Sequence, residues 1–148
     1  MAVNFEMTHC SAAGVGQDAC LRVLVADDHP ASRQLARAIL EFRGHCVTLA
    51  VDGRAVVQAA CAGRFDVILM DARMPVMDGV AATREIRFIE DGAGRRTPIV
   101  ALTGCAMRAE IDELLACGMD ACVVKPYSPS MLLQVVEEVA ARDGRCRR

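Results

Sequence analysis

The chain has 148 residues, 53% of them hydrophobic and 24% charged, a composition typical of a single soluble globular domain with its own core. Its formal net charge of −2 argues against a nucleic-acid-binding surface, since the basic residues cluster only in a short tail at 143–148. No apolar stretch approaches the roughly 20 residues that would cross a bilayer. Residues 1–20 also lack the basic start and apolar centre of a signal peptide, so we expect a cytoplasmic protein, or the cytosolic piece of a larger one, with no membrane contact by this segment.

Residues 1–20 show no hydrophobic periodicity and are predicted to form a flexible extension or linker. From Leu21 onward, apolar runs alternate with helical stretches, which predicts βαβ units and a parallel sheet within one domain at 21–142. The predicted strands are residues 21–26, 46–51, 66–70, 98–102 and 122–124. The predicted helices are residues 30–43, a short helix ending at Gly63, one starting near Asp78 and followed by a polar connection at 91–97, and residues 106–117 and 129–141.

The first predicted helix carries Leu35, Ile39 and Phe42 at positions i, i+4 and i+7. Side chains at this spacing share one face of a helix. The pattern therefore predicts that these three residues form an apolar stripe facing the sheet.

The cysteines do not form a recognisable framework. There are eight, none belongs to a Cys-x-x-Cys pair, and most lie inside apolar elements. We expect them to be small buried residues that are kept reduced.

Polar side chains follow four of the predicted strands where each strand ends. Asp27 and Asp28 close the first strand, and Asp71 closes the third. Thr103 and Lys125 follow the fourth and the fifth. Because parallel strands end at the same edge of a sheet, we expect these groups to lie together. Clustered carboxylate oxygens favour Mg²⁺ over zinc as the bound cation.

Four segments in this order carry a resemblance to a known family: Asp27-Asp28, MDARMPVMDG at 70–79, ALTG at 101–104 and VKP at 124–126. Together they resemble the receiver domain of two-component response regulators, over about residues 21–142. The resemblance implies an α/β fold like that of flavodoxin and the chemotaxis receivers, a doubly wound five-stranded parallel sheet of order 2-1-3-4-5 with five helices. Ligands would bind outside strands 1 and 3, where the winding reverses.

The resemblance also implies a magnesium site and an aspartyl phosphate. Asp28 and Asp71 would bind Mg²⁺ directly, Asp27 would bind it largely through water, and the backbone carbonyl of Arg73 would complete the protein's share. Asp71 would be the phosphoacceptor in an in-line transfer. The Arg73 side chain would either alter the lifetime of the phosphate or point to solvent, and the sequence leaves both open.

By the same resemblance, Lys125 would pair with a phosphoryl oxygen and Thr103 would donate its hydroxyl. The backbone N–H groups of Ala72 and Gly104 would add two more donors. In the family an aromatic residue usually sits three positions before the lysine and moves with the threonine hydroxyl. This chain has Cys122 there, so it departs from the usual switch.

The expected partner is a phosphohistidine on a histidine kinase or on a histidine phosphotransfer domain. Its helix would dock against the first helix and the last strand-to-helix loop. The candidate contacts are His29, Pro30, Arg33, Pro126 and Tyr127.

Several contexts fit these features. The residues of these motifs resemble those of hybrid sensor histidine kinases, which favours the receiver module of such a kinase over a stand-alone single-domain response regulator. The kinase could itself be membrane-bound. Either would be a self-phosphorylating and self-dephosphorylating signalling domain rather than a metabolic enzyme. A phosphohydrolase of the haloacid-dehalogenase type is less favoured, because it would need an Asp-x-Asp motif and a cap insertion that this sequence does not show. A receiver that only binds partners is also less favoured, because it would not need the complete set of polar groups present here.

Overall fold

The computed structural model of this protein describes residues 5–7 and 20–142. Within them the chain forms six strands, β1 (Phe5–Met7), β2 (Arg22–Ala26), β3 (Cys46–Ala50), β4 (Val67–Asp71), β5 (Ile99–Thr103) and β6 (Ala121–Val124). The helices of this part are α1 (Pro30–Phe42), α2 (Gly53–Ala62), α3 (Gly79–Ala93), α4 (Arg108–Ala116) and α5 (Pro129–Arg142).

The strands form one sheet in the order β1-β3-β2-β4-β5-β6. The five strands from β2 to β6 are parallel and lie in the order that the resemblance implied, so the doubly wound fold with five helices is confirmed. The additional strand β1 pairs antiparallel with β3, with Phe5 opposite Ala50. Strand β1 lies in the segment that we expected to be a flexible extension. No sequence pattern indicated it, because a three-residue edge strand is too short to show a periodic pattern. The rest of that extension and the basic tail at 143–148 lie outside the described residues.

Helices cover both faces of the parallel sheet, which is why its strands are almost continuously apolar. Alternate residues of one strand enter different layers of the core, as Val23 and Val25 pack towards α1 and α5 while Leu24 packs towards α2 and α3. None of the helices in the described part of the chain is long and apolar enough to cross a membrane.

The predicted apolar stripe of α1 is wrong at two of its three positions. Leu35 is 52% exposed and Phe42 is 94% exposed, whereas Ile39 is buried. The buried arc of the helix runs instead through Ala36, Ile39 and Leu40. At 100° per residue, Leu35 and Phe42 lie roughly 100° to 120° around the helix from Ala36, outside this arc. The small side chain of Ala36 gave no hydrophobic signal strong enough to reveal this.

Helix α3 extends into the predicted connection at 91–97. It ends at Ala93, and Gly94 follows as the C-cap with a φ of 67°. This left-handed conformation suits glycine, which has no Cβ to clash there. Asp91 and Gly92 thus belong to the last turn of the helix.

A buried ionic network connects the end of α3 to the amino ends of the strands. The predicted polar groups follow the opposite, carboxyl ends. Arg87 donates through Nη1 to Glu90 Oε2 at 2.7 Å and through Nη2 to Asp120 Oδ2 at 2.9 Å. Glu90 accepts from the Thr97 N–H at 2.9 Å, and Asp120 accepts from the Ile99 N–H at 2.8 Å. The network therefore fixes the chain where β5 begins.

The expectation for the cysteines is wrong in two respects. Cys46 is disulfide-bonded rather than reduced. The other five cysteines of the described residues are exposed or half-buried rather than buried: Cys20, Cys61, Cys105, Cys117 and Cys122. Cys20 Sγ lies 3.2 Å from Cys46 Sγ because β2 and β3 are neighbours, a proximity that a sequence separation of 26 residues conceals.

Candidate functional site

The polar groups that follow the strands meet at one edge of the sheet. Asp27 follows β2, Asp71 is the last residue of β4, Thr103 is the last residue of β5, and Lys125 follows β6. Asp28, next to Asp27, is exposed at the same edge. Since β2 and β4 are direct neighbours in the sheet, the carboxylates at their ends are brought together.

Three carboxylates form an acidic cluster. Asp27, Asp28 and Asp71 each offer an oxygen, and these oxygens all lie within 4.8 Å of one another. Burial raises the pKa of the Asp71 carboxyl above its ordinary value of 3.8, and the charge of Asp27 adds to the rise, while the Arg73 N–H and Lys125 oppose it. A cation would relieve this repulsion. Because every donor of the cluster is a carboxylate oxygen, the set fits a hard divalent ion such as Mg²⁺.

One ammonium group balances the cluster. Lys125 Nζ lies 2.7 Å from Asp27 Oδ2 and 3.3 Å from Asp71 Oδ2. Burial lowers the pKa of Lys125, but the hydrogen bonds and charges of the two aspartates outweigh burial and raise this pKa above 10.5. Lys125 therefore carries a positive charge in the site, and it is the only lysine of the chain.

A cavity of about 290 Å³ opens beside Asp71. Its lining residues are Asp71, Ala72, Arg73, Thr103, Gly104, Cys105 and Glu110. The Thr103 hydroxyl is buried and accepts a hydrogen bond from the Cys105 N–H at 3.1 Å. An added Cβ at Gly104 would meet no heavy atom within 4 Å, so this residue leaves the cavity open.

The two backbone amides after Asp71 differ in direction. The Ala72 N–H, expected to be a phosphoryl donor, donates to the Leu102 carbonyl at 2.9 Å within the sheet. The Arg73 N–H donates to Asp71 Oδ1 at 3.2 Å. Of the two amides, only that of Arg73 donates to the Asp71 carboxylate.

Glu110 is a cavity residue that the sequence analysis missed. It lies in the first turn of α4, and its Oε1 is 3.8 Å from Arg73 Nη2. No motif contains it, because the contact joins residues 37 positions apart in different elements. The nearby Cys122 is half-buried, and burial followed by the charge of Glu110 raises the pKa of its thiol.

Close packing supports the backbone of the site. The Gly79 N–H donates to the Ala72 carbonyl at 3.1 Å, and an added Cβ at Gly79 would contact the Asp71 carbonyl oxygen. The start of α3 therefore lies directly against the backbone of Asp71 and Ala72. A side chain at position 79 is excluded unless this strand end moves.

The five candidate docking residues divide into two groups. His29, Pro30 and Pro126 are exposed beside the site. Arg33 is half-buried and donates through Nη1 to the Asp27 carbonyl at 2.8 Å. Tyr127 is half-buried against the core, and burial raises the pKa of its hydroxyl.

Comparisons with known proteins agree with this geometry. Sensor protein GacS of Pseudomonas syringae pv. syringae is 45% identical over 116 residues, which are 78% of this chain and 13% of GacS. The two-component response regulator ORR41 of Oryza sativa subsp. japonica is 40% identical over 116 residues, which are 76% of this chain and 88% of ORR41. The chain thus spans about an eighth of the sensor protein and most of the response regulator.

A solved structure gives the same result. The crystal structure of the receiver domain of sensor histidine kinase PA1611 from Pseudomonas aeruginosa PAO1 has a magnesium ion coordinated in its active site cleft. It is 37% identical, has a TM-score of 0.76, and the match covers 83% of this chain and 99% of that domain. The response regulator receiver domain family matches residues 23–137. This chain belongs to the response regulator receiver domain family.

Proposed function

We propose that this receiver domain accepts a phosphoryl group on the Asp71 carboxylate with the help of Mg²⁺. The observation that supports this most directly is the meeting of three carboxylates, one ammonium and one buried hydroxyl around a cavity at a single sheet edge. Phosphoryl transfer needs a positioned nucleophile and positive charge around the phosphoryl oxygens rather than covalent help from other side chains. Asp71 supplies the nucleophile, and Lys125 and the cation supply the charge.

The proposed magnesium ligands are Asp28 and Asp71 directly, Asp27 largely through water, and the Arg73 carbonyl. Bound Mg²⁺ would neutralise charge on the nucleophile and on a phosphoryl oxygen. Lys125 would hold another phosphoryl oxygen, and the Thr103 hydroxyl and the Gly104 N–H would donate to the group. We add the Arg73 N–H to these donors and give the Ala72 N–H a structural role, because only the former faces the Asp71 carboxylate.

The proposed phosphoryl donor is a phosphohistidine on a histidine kinase or on a histidine phosphotransfer domain. Leu35 and Phe42 present exposed apolar side chains on α1, and a partner docked on this helix would bury them. His29 and Pro126, exposed at the edge of the site, would contact the same partner. Leu35→Ser should slow transfer from a phosphorylated phosphotransfer domain without slowing phosphorylation by acetyl phosphate.

We favour the receiver module of a hybrid sensor histidine kinase as the biological context, working on the cytosolic side. The similarity to a part of sensor protein GacS and to the receiver domain of sensor histidine kinase PA1611 supports it. A stand-alone response regulator is the second candidate, and the coverage of most of ORR41 supports that reading.

The test is intact mass after incubation with Mg²⁺ and acetyl phosphate. We expect one phosphoryl adduct on the wild-type protein, and none on Asp71→Asn or after chelation of the metal. Asp91→Asn, which changes an exposed aspartate of α3, is the matched control and should retain the adduct. An adduct that persists in Asp71→Asn would show that another residue accepts the group. No adduct on the wild type would leave a module that only binds partners.

A further inference from the structure

Arg73 and Glu110 form an ion pair across the mouth of the cavity beside Asp71. The distance from Arg73 Nη2 to Glu110 Oε1 is 3.8 Å, and both residues line the cavity together with Asp71 and Thr103. The Arg73 side chain is 86% exposed and that of Glu110 is 25% exposed. The pair thus joins the loop after the phosphoacceptor to the first turn of α4.

This ion pair is a weak contact that a phosphoryl group would outcompete. Its distance exceeds that of a hydrogen bond, and the arginine is largely in solvent, so water screens the attraction. A charge-assisted hydrogen bond between a guanidinium and a phosphoryl oxygen is stronger and shorter. Arg73 is only two residues beyond Asp71, and its own N–H already reaches the Asp71 carboxylate.

A phosphoryl group would also repel Glu110, because both would be anionic in the same cavity. Glu110 has an alternative partner in its own helix. The N-cap of α4 is Met107, whose side chain makes no capping hydrogen bond, and Glu110 is the third residue of the helix. A glutamate at this position can reach back to the free N–H of the N-cap residue, and its charge is favourable at a helix N-terminus.

We propose that phosphorylation of Asp71 moves Arg73 from Glu110 to the phosphoryl group, and that the released Glu110 then caps the start of α4. The proposal rests on the proposed function and deepens it, since it names how the site reports its state. The position three before Lys125 is occupied by Cys122 rather than by an aromatic residue. The ion-pair exchange gives this chain a route from Asp71 to α4 that needs no aromatic side chain.

Beryllofluoride with Mg²⁺, a stable mimic of the phosphoryl group, provides the test. Hydrogen exchange measured by mass spectrometry should slow in the peptide that covers Met107 to Glu110 when wild-type protein binds the mimic. Glu110→Gln should bind the mimic about two- to fivefold more tightly, because no ion pair is broken and no anion is repelled. The same variant should lose most of the slowing at the start of α4.

Two further variants separate the ion pair from the general effect of charge. Glu113→Gln changes an exposed glutamate of the same helix and should behave as the wild type in both measurements. Arg73→Met should bind the mimic more weakly. In the double variant the effect of Glu110→Gln on affinity should shrink to the part that comes from repulsion between Glu110 and the anion. If Glu110→Gln keeps the wild-type affinity and the wild-type slowing at α4, the exchange of partners is wrong while the phosphoacceptor function stands. If wild-type protein binds no beryllofluoride, both proposals fail.

Discussion

Lys125 Nζ lies 2.7 Å from Asp27 Oδ2, which joins the only lysine of the chain to a carboxylate that is 1% exposed. A buried carboxylate without a cation nearby is costly, so Lys125 serves as its counterion when no metal is bound. The same ammonium lies 3.3 Å from Asp71. Any divalent cation that enters the acidic cluster must therefore share these two carboxylates with Lys125.

Lys125→Met should bind Mg²⁺ roughly three- to tenfold more tightly than the wild type. The substitution removes a positive charge whose repulsion of the metal ion opposes binding by about 1 kcal/mol. Isothermal titration calorimetry measures this affinity. Lys125→Arg retains the charge and should keep an affinity close to that of the wild type. Equal or weaker binding by Lys125→Met would mean that the ammonium does not compete with the metal. Since there is a single lysine, isotope labelling of lysine side chains would also give one NMR signal that reports directly on this contact.

Asp71 should make the metal-free domain less stable as the pH rises. The pKa of Asp71 in the folded protein is raised above its ordinary value of 3.8, which we take for the unfolded chain. At a pH between 3.8 and the raised pKa, the folded state holds a proton that the unfolded chain has lost. Stability therefore falls as the pH rises through this window, and below 3.8 the contribution vanishes. Asp71→Asn should be more stable than the metal-free wild type at pH 7 by about 1 kcal/mol.

Urea denaturation at several pH values, with and without Mg²⁺, measures this effect. At a concentration one hundred times its dissociation constant, Mg²⁺ should stabilise the wild type by about 2.7 kcal/mol. It should stabilise Asp71→Asn much less, since a ligand is lost. Asp91→Asn controls for the removal of an exposed carboxylate. A metal-free Asp71→Asn that is less stable than the wild type at pH 7 would contradict the argument.

Gly79→Ala should disturb the phosphoacceptor through the backbone. Its Cβ would contact the Asp71 carbonyl oxygen and would lie 3.1 Å from Ala72 Cα, so β4 or α3 must shift. We expect a loss of about 1 to 3 kcal/mol in the free energy of unfolding, and weaker Mg²⁺ binding. Gly92→Ala in the same helix meets no atom within 4 Å and should be neutral or stabilising by about 0.5 kcal/mol. Chemical denaturation of both variants checks the pair, and equal stability of the two would show that α3 adapts without cost.

The residues at the strand ends could be predicted because β-strands and their terminating polar groups lie close together in the sequence. Asp27, Asp71, Thr103 and Lys125 each follow an apolar run, and parallel strands bring such ends to one edge. The acidic cluster could be anticipated for this reason, whereas the strand order came from the resemblance to the receiver family.

Features that depend on contacts between distant elements could not be predicted in this way. Glu110 enters the cavity because α4 packs beside β6, and nothing in its neighbourhood of the sequence distinguishes it from Glu113. Leu35 and Phe42 have the hydrophobicity and spacing of core residues, yet the small Ala36 faces the sheet instead. Hydrophobic periodicity identifies a face of a helix, but the packing of the neighbouring elements decides which part of that face is covered.

Glu90→Ala should be among the most destabilising single substitutions of the domain, even though it lies at the opposite edge of the sheet from Asp71. Glu90 is 3% exposed and accepts hydrogen bonds from Arg87 at 2.7 Å and from the Thr97 N–H at 2.9 Å. Its removal leaves both donors buried without this acceptor. Because Asp120 still pairs with Arg87, we expect a loss of about 2 to 4 kcal/mol, somewhat less than for an isolated buried pair.

Thermal and urea denaturation measure the loss. The control is Glu85→Ala, which replaces an exposed glutamate of the same helix and should change the free energy of unfolding by less than about 0.5 kcal/mol. The variants should still accept a phosphoryl group at temperatures where they remain folded, because the network supports the start of β5 and the site lies at its end. A folded Glu90→Ala that no longer binds Mg²⁺ would show instead that the two edges of the sheet are coupled.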